Sequence, residues 1–212
     1  MTRTFHRAIR RFATLAGFAG DDCASQIVEF AISLPLLVLF VVGIFDFSGA
    51  LTLKQKLSNA AREGARVAAA DPANDLSGSP SPIPASVGDA LQVVDNYLIS
   101  EKINDCGLKT ALPVQSGVTL TWGSNVQLNG CPIPGLTFTI NRGYFSPQTG
   151  ATLAPANCTP PQLPSGQTAI VGTCVTIQYA YKWQFGGVSS LFGGNFVGPS
   201  VITTTAVAFN EN

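Results

Sequence analysis

The chain has 212 residues, with 12 basic and 12 acidic side chains and a formal net charge of zero. Charged residues make up 11% and hydrophobic ones 46%, which gives no electrostatic case for nucleic-acid binding, and its partners are to be sought in membrane or protein. The single histidine, His6, sits in the N-terminal tail, which leaves the remainder without the side chain most used for acid–base and metal chemistry.

Residues 1–24 read as a basic leader: Arg3, Arg7, Arg10 and Arg11 precede the first acid, Asp21. Residues 10–20 superficially resemble the start of a secretory signal, with Cys23 placed as in a lipoprotein. Asp21 and Asp22 occupy the positions where such a signal needs small neutral residues, so lipidation is not expected.

A membrane span is predicted over residues 25–51. No charge interrupts the apolar run between Glu29 and Asp46, and at about 1.5 Å per residue that interval is roughly 26 Å of helix, close to the ~30 Å of a bilayer's hydrocarbon. The two acids are therefore expected near opposite interfaces. Pro35 lies inside the run, where a helix in lipid tolerates it if neighbouring groups take up the freed carbonyl.

The helix is predicted to continue as a stalk over residues 52–70. Leu53, Leu57, Ala60, Gly64 and Val67 recur at spacings of three and four, with Arg62 and Arg66 opposite. That face is free to pack under the chain's own domain, against other subunits, or both. Pro72 sets the stop, because it disfavours helical backbone at Asp71. Residues 71–84, with four prolines and few large apolar side chains, read as a linker.

Residues 85–212 read as a small extracytoplasmic α+β domain. An amphipathic helix is expected from residue 85 to about 104, with Val87, Leu91, Val94 and Leu98 on one face. Period-two patterning then predicts antiparallel strands through Val118, Leu120 and Trp122, and through Leu136, Phe138 and Ile140. Val175, Ile177, Tyr179, Tyr181 and Trp183 form the strongest alternation, and Val201 to Phe209 a final strand. Residues 143–166 and 186–198 read as loops, the second offering Leu191, Phe192 and Phe196 either to the core or to a partner. Asn157 opens a weak glycosylation sequon.

Cys106, Cys131, Cys158 and Cys174 all follow the span and form no CxxC pair, which favours two disulfides in an oxidising compartment. Three pairings stay open; the shorter loops favour Cys106 with Cys131 and Cys158 with Cys174. Basic residues do not orient the span, since Lys54, Lys56, Arg62 and Arg66 balance the leader. The cysteines do, by placing the C-terminal part outside the cytoplasm.

No catalytic constellation, phosphate loop or metal-ligand spacing is present in the sequence, so neither an enzyme nor a cofactor is expected. Residues 46–50 resemble the start of a metal-ion adhesion motif but lack its second serine.

Ile27-Val28-Glu29-Phe30-Ala31, Leu34-Pro35-Leu36, Gly43-Ile44, Asp46-Phe47 and the run from Asn59 to Arg66 (NAAREGAR) together resemble the TadE-like family. Its members are pseudopilins or minor pilin-like proteins of the bacterial tight-adherence (Flp) pilus machinery. The resemblance implies a single-pass protein of the inner membrane, N-terminus cytoplasmic, whose helix packs against other pilins or pseudopilins through Phe30, Pro35 and Gly43. It also implies cleavage by a prepilin peptidase four residues before Glu29, between Ala24 and Ser25, although Ala24 stands where such precursors usually carry glycine. Glu29 would then meet the freed amine of a neighbouring subunit. The alternative is a membrane-anchored binding or scaffold module, unrelated to polymerisation, in which the helix is only a tether.

Overall fold

The computed structural model describes residues 22–72, 76, 83–116, 120–147, 158, 169–184 and 200–210. Residues 1–21 of the basic leader, Val118, Asn157, and Leu191, Phe192 and Phe196 lie outside them, as does most of the proline-rich linker.

Helix α1 runs unbroken from Asp22 to Ala70. Its two halves differ by environment. From Gln26 to Phe45 no side chain is buried, whereas beyond Asp46 one stripe, Leu57, Ala60, Ala61, Ala65 and Ala68, is at most 1% exposed. Pro35 does not interrupt the helix, and two residues before it the Ser33 hydroxyl donates to the Glu29 carbonyl, one turn back, at 2.6 Å. The helix has no basic residue in its last turn. A distant cation replaces it: the buried Arg142 guanidinium donates to the Ala68 carbonyl, to the Asp71 carbonyl at 2.9 Å and to Thr173 Oγ1 at 2.8 Å. Positive charge at this end complements the helix dipole and satisfies carbonyls left without an intrahelical donor.

Helix α2 (Ala85–Ser100) lies against the second half of α1. It stops short of residue 104 because Lys102 turns left-handed (φ 58°). The Ile103 N–H then bonds the Leu98 carbonyl at 2.9 Å and the Lys102 N–H the Ile99 carbonyl at 3.1 Å, the paired closure of a Schellman motif. Lys56 of α1 meets Glu101 just beyond, Nζ to Oε2 at 3.0 Å.

Among the described residues five strands form an antiparallel meander in sequence order: β1 (Val114–Gln115), β2 (Thr121–Val126), β3 (Leu136–Pro147), β4 (Ala169–Ala180) and β5 (Val201–Phe209). One face carries Trp122, Val126, Leu136, Phe138, Ile140, Val175, Ile177, Tyr179, Ile202 and Ala206, and closes a single core with both helices. The fold is thus α+β, as the alternating patterns required. Residues 143–147, read as loop from their composition, extend β3; a register shift between Asn141 and Tyr144 absorbs the irregularity and the ladder resumes at Tyr144 opposite Gly172. At its other end β4 closes at Ala180, so Tyr181 and Trp183 leave the sheet.

Both disulfides follow the shorter-loop pairing. Cys106–Cys131 and Cys158–Cys174 have Cα separations of 5.3 and 5.4 Å. The first joins the turn after α2 to the β2–β3 hairpin. The second fastens Cys158 to the helix-free face of the sheet, where it packs with Tyr144 and Val207 and where Asn141 Nδ2 donates to the Cys158 carbonyl at 2.9 Å.

Candidate functional site

Helix α1 is the one helix among the described residues long and apolar enough to cross a membrane, and its most apolar window has no buried part. Phe30, Ile32, Leu36, Leu37, Phe40, Ile44 and Phe45 are each well over half exposed. Twenty such residues span about 30 Å, the hydrocarbon thickness of a bilayer. Solvent water would not tolerate this surface; lipid or other apolar helices would.

Site residues expected from the sequence fall along this one element. Ala24 and Ser25 lie in its first turn. Glu29 is exposed within the apolar half. Gly43 is also open, and a Cβ placed there would meet nothing within 4 Å. Phe30, Pro35 and Gly43 are each exposed, and at 3.6 residues per turn they point to different sides of the helix.

Asp46 marks the transition. It is buried because the chain leaving β4 folds over it: the Gln184 N–H donates to Asp46 Oδ1 at 2.9 Å, and the Tyr181 hydroxyl donates to the Asp46 carbonyl at 3.2 Å. Gly49 makes room, since a Cβ there would stand 3.1 Å from that hydroxyl. Tyr181 and Trp183 pack edge to face with centroids 5.1 Å apart. Burial, and after it the Asp46 charge, hold the Tyr181 phenol above its ordinary range, so it stays a donor throughout physiological pH. The carboxylate expected at a membrane boundary is thus also the point where helix and sheet are bolted together.

The NAAREGAR run explains itself by packing. Ala60, Ala61, Gly64 and Ala65 face inward, while Asn59, Arg62, Glu63 and Arg66 face out. A Cβ on Gly64 would lie 2.7 Å from Val94 Cγ2 and 3.5 Å from the Ala90 carbonyl. Small residues at this spacing let the α1 and α2 backbones approach closely, and Gly64 leaves the room that Val94 fills.

Residues 24–66 match the family described as TadE-like protein. The TadE-like segment begins in the first turn of α1, takes in the whole exposed apolar half and Asp46, and ends within the Gly64 seam. No curated protein and no solved structure matches the chain.

Three features escaped the sequence. Nothing marked Tyr181 and Gln184 as partners of Asp46, although the aromatic alternation running past Ala180 was a trace of it. Arg142 resembled any strand-end arginine. Asp95, on α2, is buried at 1% exposure, and desolvation, then the charge and hydrogen bond of Asp105, raise its carboxyl above the usual range; in sequence it was one more polar position of an amphipathic helix.

Proposed function

We propose that this chain is a pseudopilin or minor pilin-like component of a bacterial tight-adherence (Flp) pilus system, acting by subunit packing and not by catalysis. The observation that carries the reading is the extent of the TadE-like segment: it covers one continuous helix whose first half is an exposed apolar rod and whose second half is a domain core. A helix serving only as a tether has no need of a specific sequence in lipid. A helix that packs against neighbours does.

In this reading the protein sits in the inner membrane with its N-terminus cytoplasmic, since the two disulfides belong to an oxidising compartment. Prepilin peptidase cuts between Ala24 and Ser25, and the freed amine of one subunit pairs with Glu29 of the next. In low dielectric that attraction aligns subunits. Phe30, Pro35 and Gly43 lie on the surface that neighbours cover.

The test has two arms. Glu29→Ala is expected to insert normally but to fail to co-purify with its pilin partners; unchanged incorporation would refute the role of Glu29. Replacing residues 30–44 by an unrelated apolar helix of equal length separates assembly from tethering. Loss of pilus-dependent function is expected, and full retention would favour an anchored binding module.

A further inference from the structure

We infer that the domain has a membrane-facing foot, formed by the β2–β3 hairpin tip with the Tyr181–Trp183 segment, that rests in the phospholipid headgroup layer around its own span. The inference rests on α1 crossing the bilayer, but not on any role in pili.

Topology brings these parts to one end. The Tyr181 hydroxyl reaches Asp46, the last polar residue before the apolar half of α1. One residue earlier, the Ala180 N–H donates to the Gly135 carbonyl at 2.9 Å, so the base of the β2–β3 hairpin is level with the helix exit. Beyond it the chain turns, with the Gly135 N–H on the Pro132 carbonyl at 2.7 Å. Ile133 lies inside that turn, 79% exposed, and Leu128 on the same hairpin is 54% exposed. The Cys106–Cys131 disulfide pins the tip to the end of the α2 turn, so these apolar side chains are held out by a rigid mount.

The chemistry at this level is that of a bilayer interface. Tyr181 and Trp183 stand beside the helix exit with Lys182, exposed, between them. Aromatic side chains with a polar edge concentrate in the headgroup layer, and lysine reaches anionic phosphates there. On the opposite side of α1 apolar exposure continues past Asp46 through Phe47 and Leu51, 59% and 46% exposed. Leu51 is five residues beyond Asp46, about 7 Å along the axis, so the rim of the helix is apolar over the same height as the foot. Continuity with the span therefore selects lipid as the occupant.

The test uses the full chain in vesicles of phosphatidylcholine and phosphatidylglycerol, with bromine quenchers placed near the headgroups or near the chain ends. The protein has two tryptophans, and Trp122 is buried in the core at 3% exposure, so the difference between wild type and Trp183→Phe isolates Trp183. Its emission is expected to fall roughly twofold more with shallow than with deep bromine, and Ile133→Trp placed in the Trp183→Phe background should respond alike. Phe40→Trp in that background reports the span and should prefer the deep quencher. If Phe40→Trp is quenched while both foot reporters are untouched by either lipid, the foot is refuted and the span stands. Protection of the foot that grows with protein density instead would assign it to a second copy and likewise overturn the proposal. If Phe40→Trp is not quenched, the span fails and the foot with it.

Discussion

Buried Arg142 ties the end of α1 to the sheet, and replacing it by methionine tests how much that tie contributes. The substitution keeps an unbranched apolar stem and removes the donors that reach the Ala68 and Asp71 carbonyls and Thr173 Oγ1. Leaving a buried acceptor unpaired costs about 1–3 kcal/mol, and loss of a cation from a partly buried helix C-terminus adds up to ~2 kcal/mol. Against this, methionine avoids the desolvation that the guanidinium suffers. A net loss of roughly 3 kcal/mol is expected, which for a domain of this size lowers the melting temperature by about 6–12 °C. Thermal unfolding of the full chain in detergent micelles, followed by near-ultraviolet circular dichroism, measures it. Arg142→Lys retains charge but reaches fewer acceptors and should fall between; Arg62→Met, on the exposed face, should stay within about 0.5 kcal/mol of wild type. A methionine variant melting with wild type would show that the end of α1 is satisfied without Arg142.

Gly64→Ala sets about 1 kcal/mol of helix propensity against overpacking of about 1–3 kcal/mol at Val94, so a net loss near 1 kcal/mol is expected; combined with Val94→Ala the penalty should reverse, and additive effects in a double-mutant cycle would disprove the contact. Asp95 binds its proton more tightly when folded than at its ordinary 3.8, so its contribution to stability is full below that value and declines as pH rises through the raised one. Asp95→Asn should therefore stabilise the protein at neutral pH and make no difference in strong acid, as read from denaturant midpoints across pH; an equal effect at both would refute the burial argument. Replacing Cys158 and Cys174 together by serine opens a loop of 16 residues and should cost about 3 kcal/mol, with Tyr144 losing its packing; unchanged thermal unfolding would show that the helix-free face holds without the link.

Much of the architecture was legible because one-dimensional patterns report one-dimensional physics. An uncharged run the length of a bilayer has few stable environments, and strict alternation from Val175 to Tyr179 can bury one face only as a strand. Loop length left three cysteine pairings open and favoured the one that the fold adopts. Composition and propensity are weaker signals than periodicity. Residues 143–147 carry glycine and proline yet continue β3 through a register shift, because ladder pairing with β4 outweighs local preference. The end of α2 moved to Ser100 because a non-glycine residue, Lys102, accepted a left-handed backbone, which propensity does not foresee.

What the sequence determined by itself was the long apolar helix, its TadE-like character and the α+β class of the domain, since each depends on residues near one another along the chain. What the tertiary structure decided was what those residues meet. Only folding brings Arg142 to the end of α1, Val94 to Gly64 and Tyr181 to Asp46, across separations of 71, 30 and 135 residues in sequence. Packing at such distances is set by the whole arrangement of helices and strands, and no local pattern encodes it. Helix α1 is consequently two objects in one: a surface left open for lipid or neighbours, and the central stave around which its own domain is built.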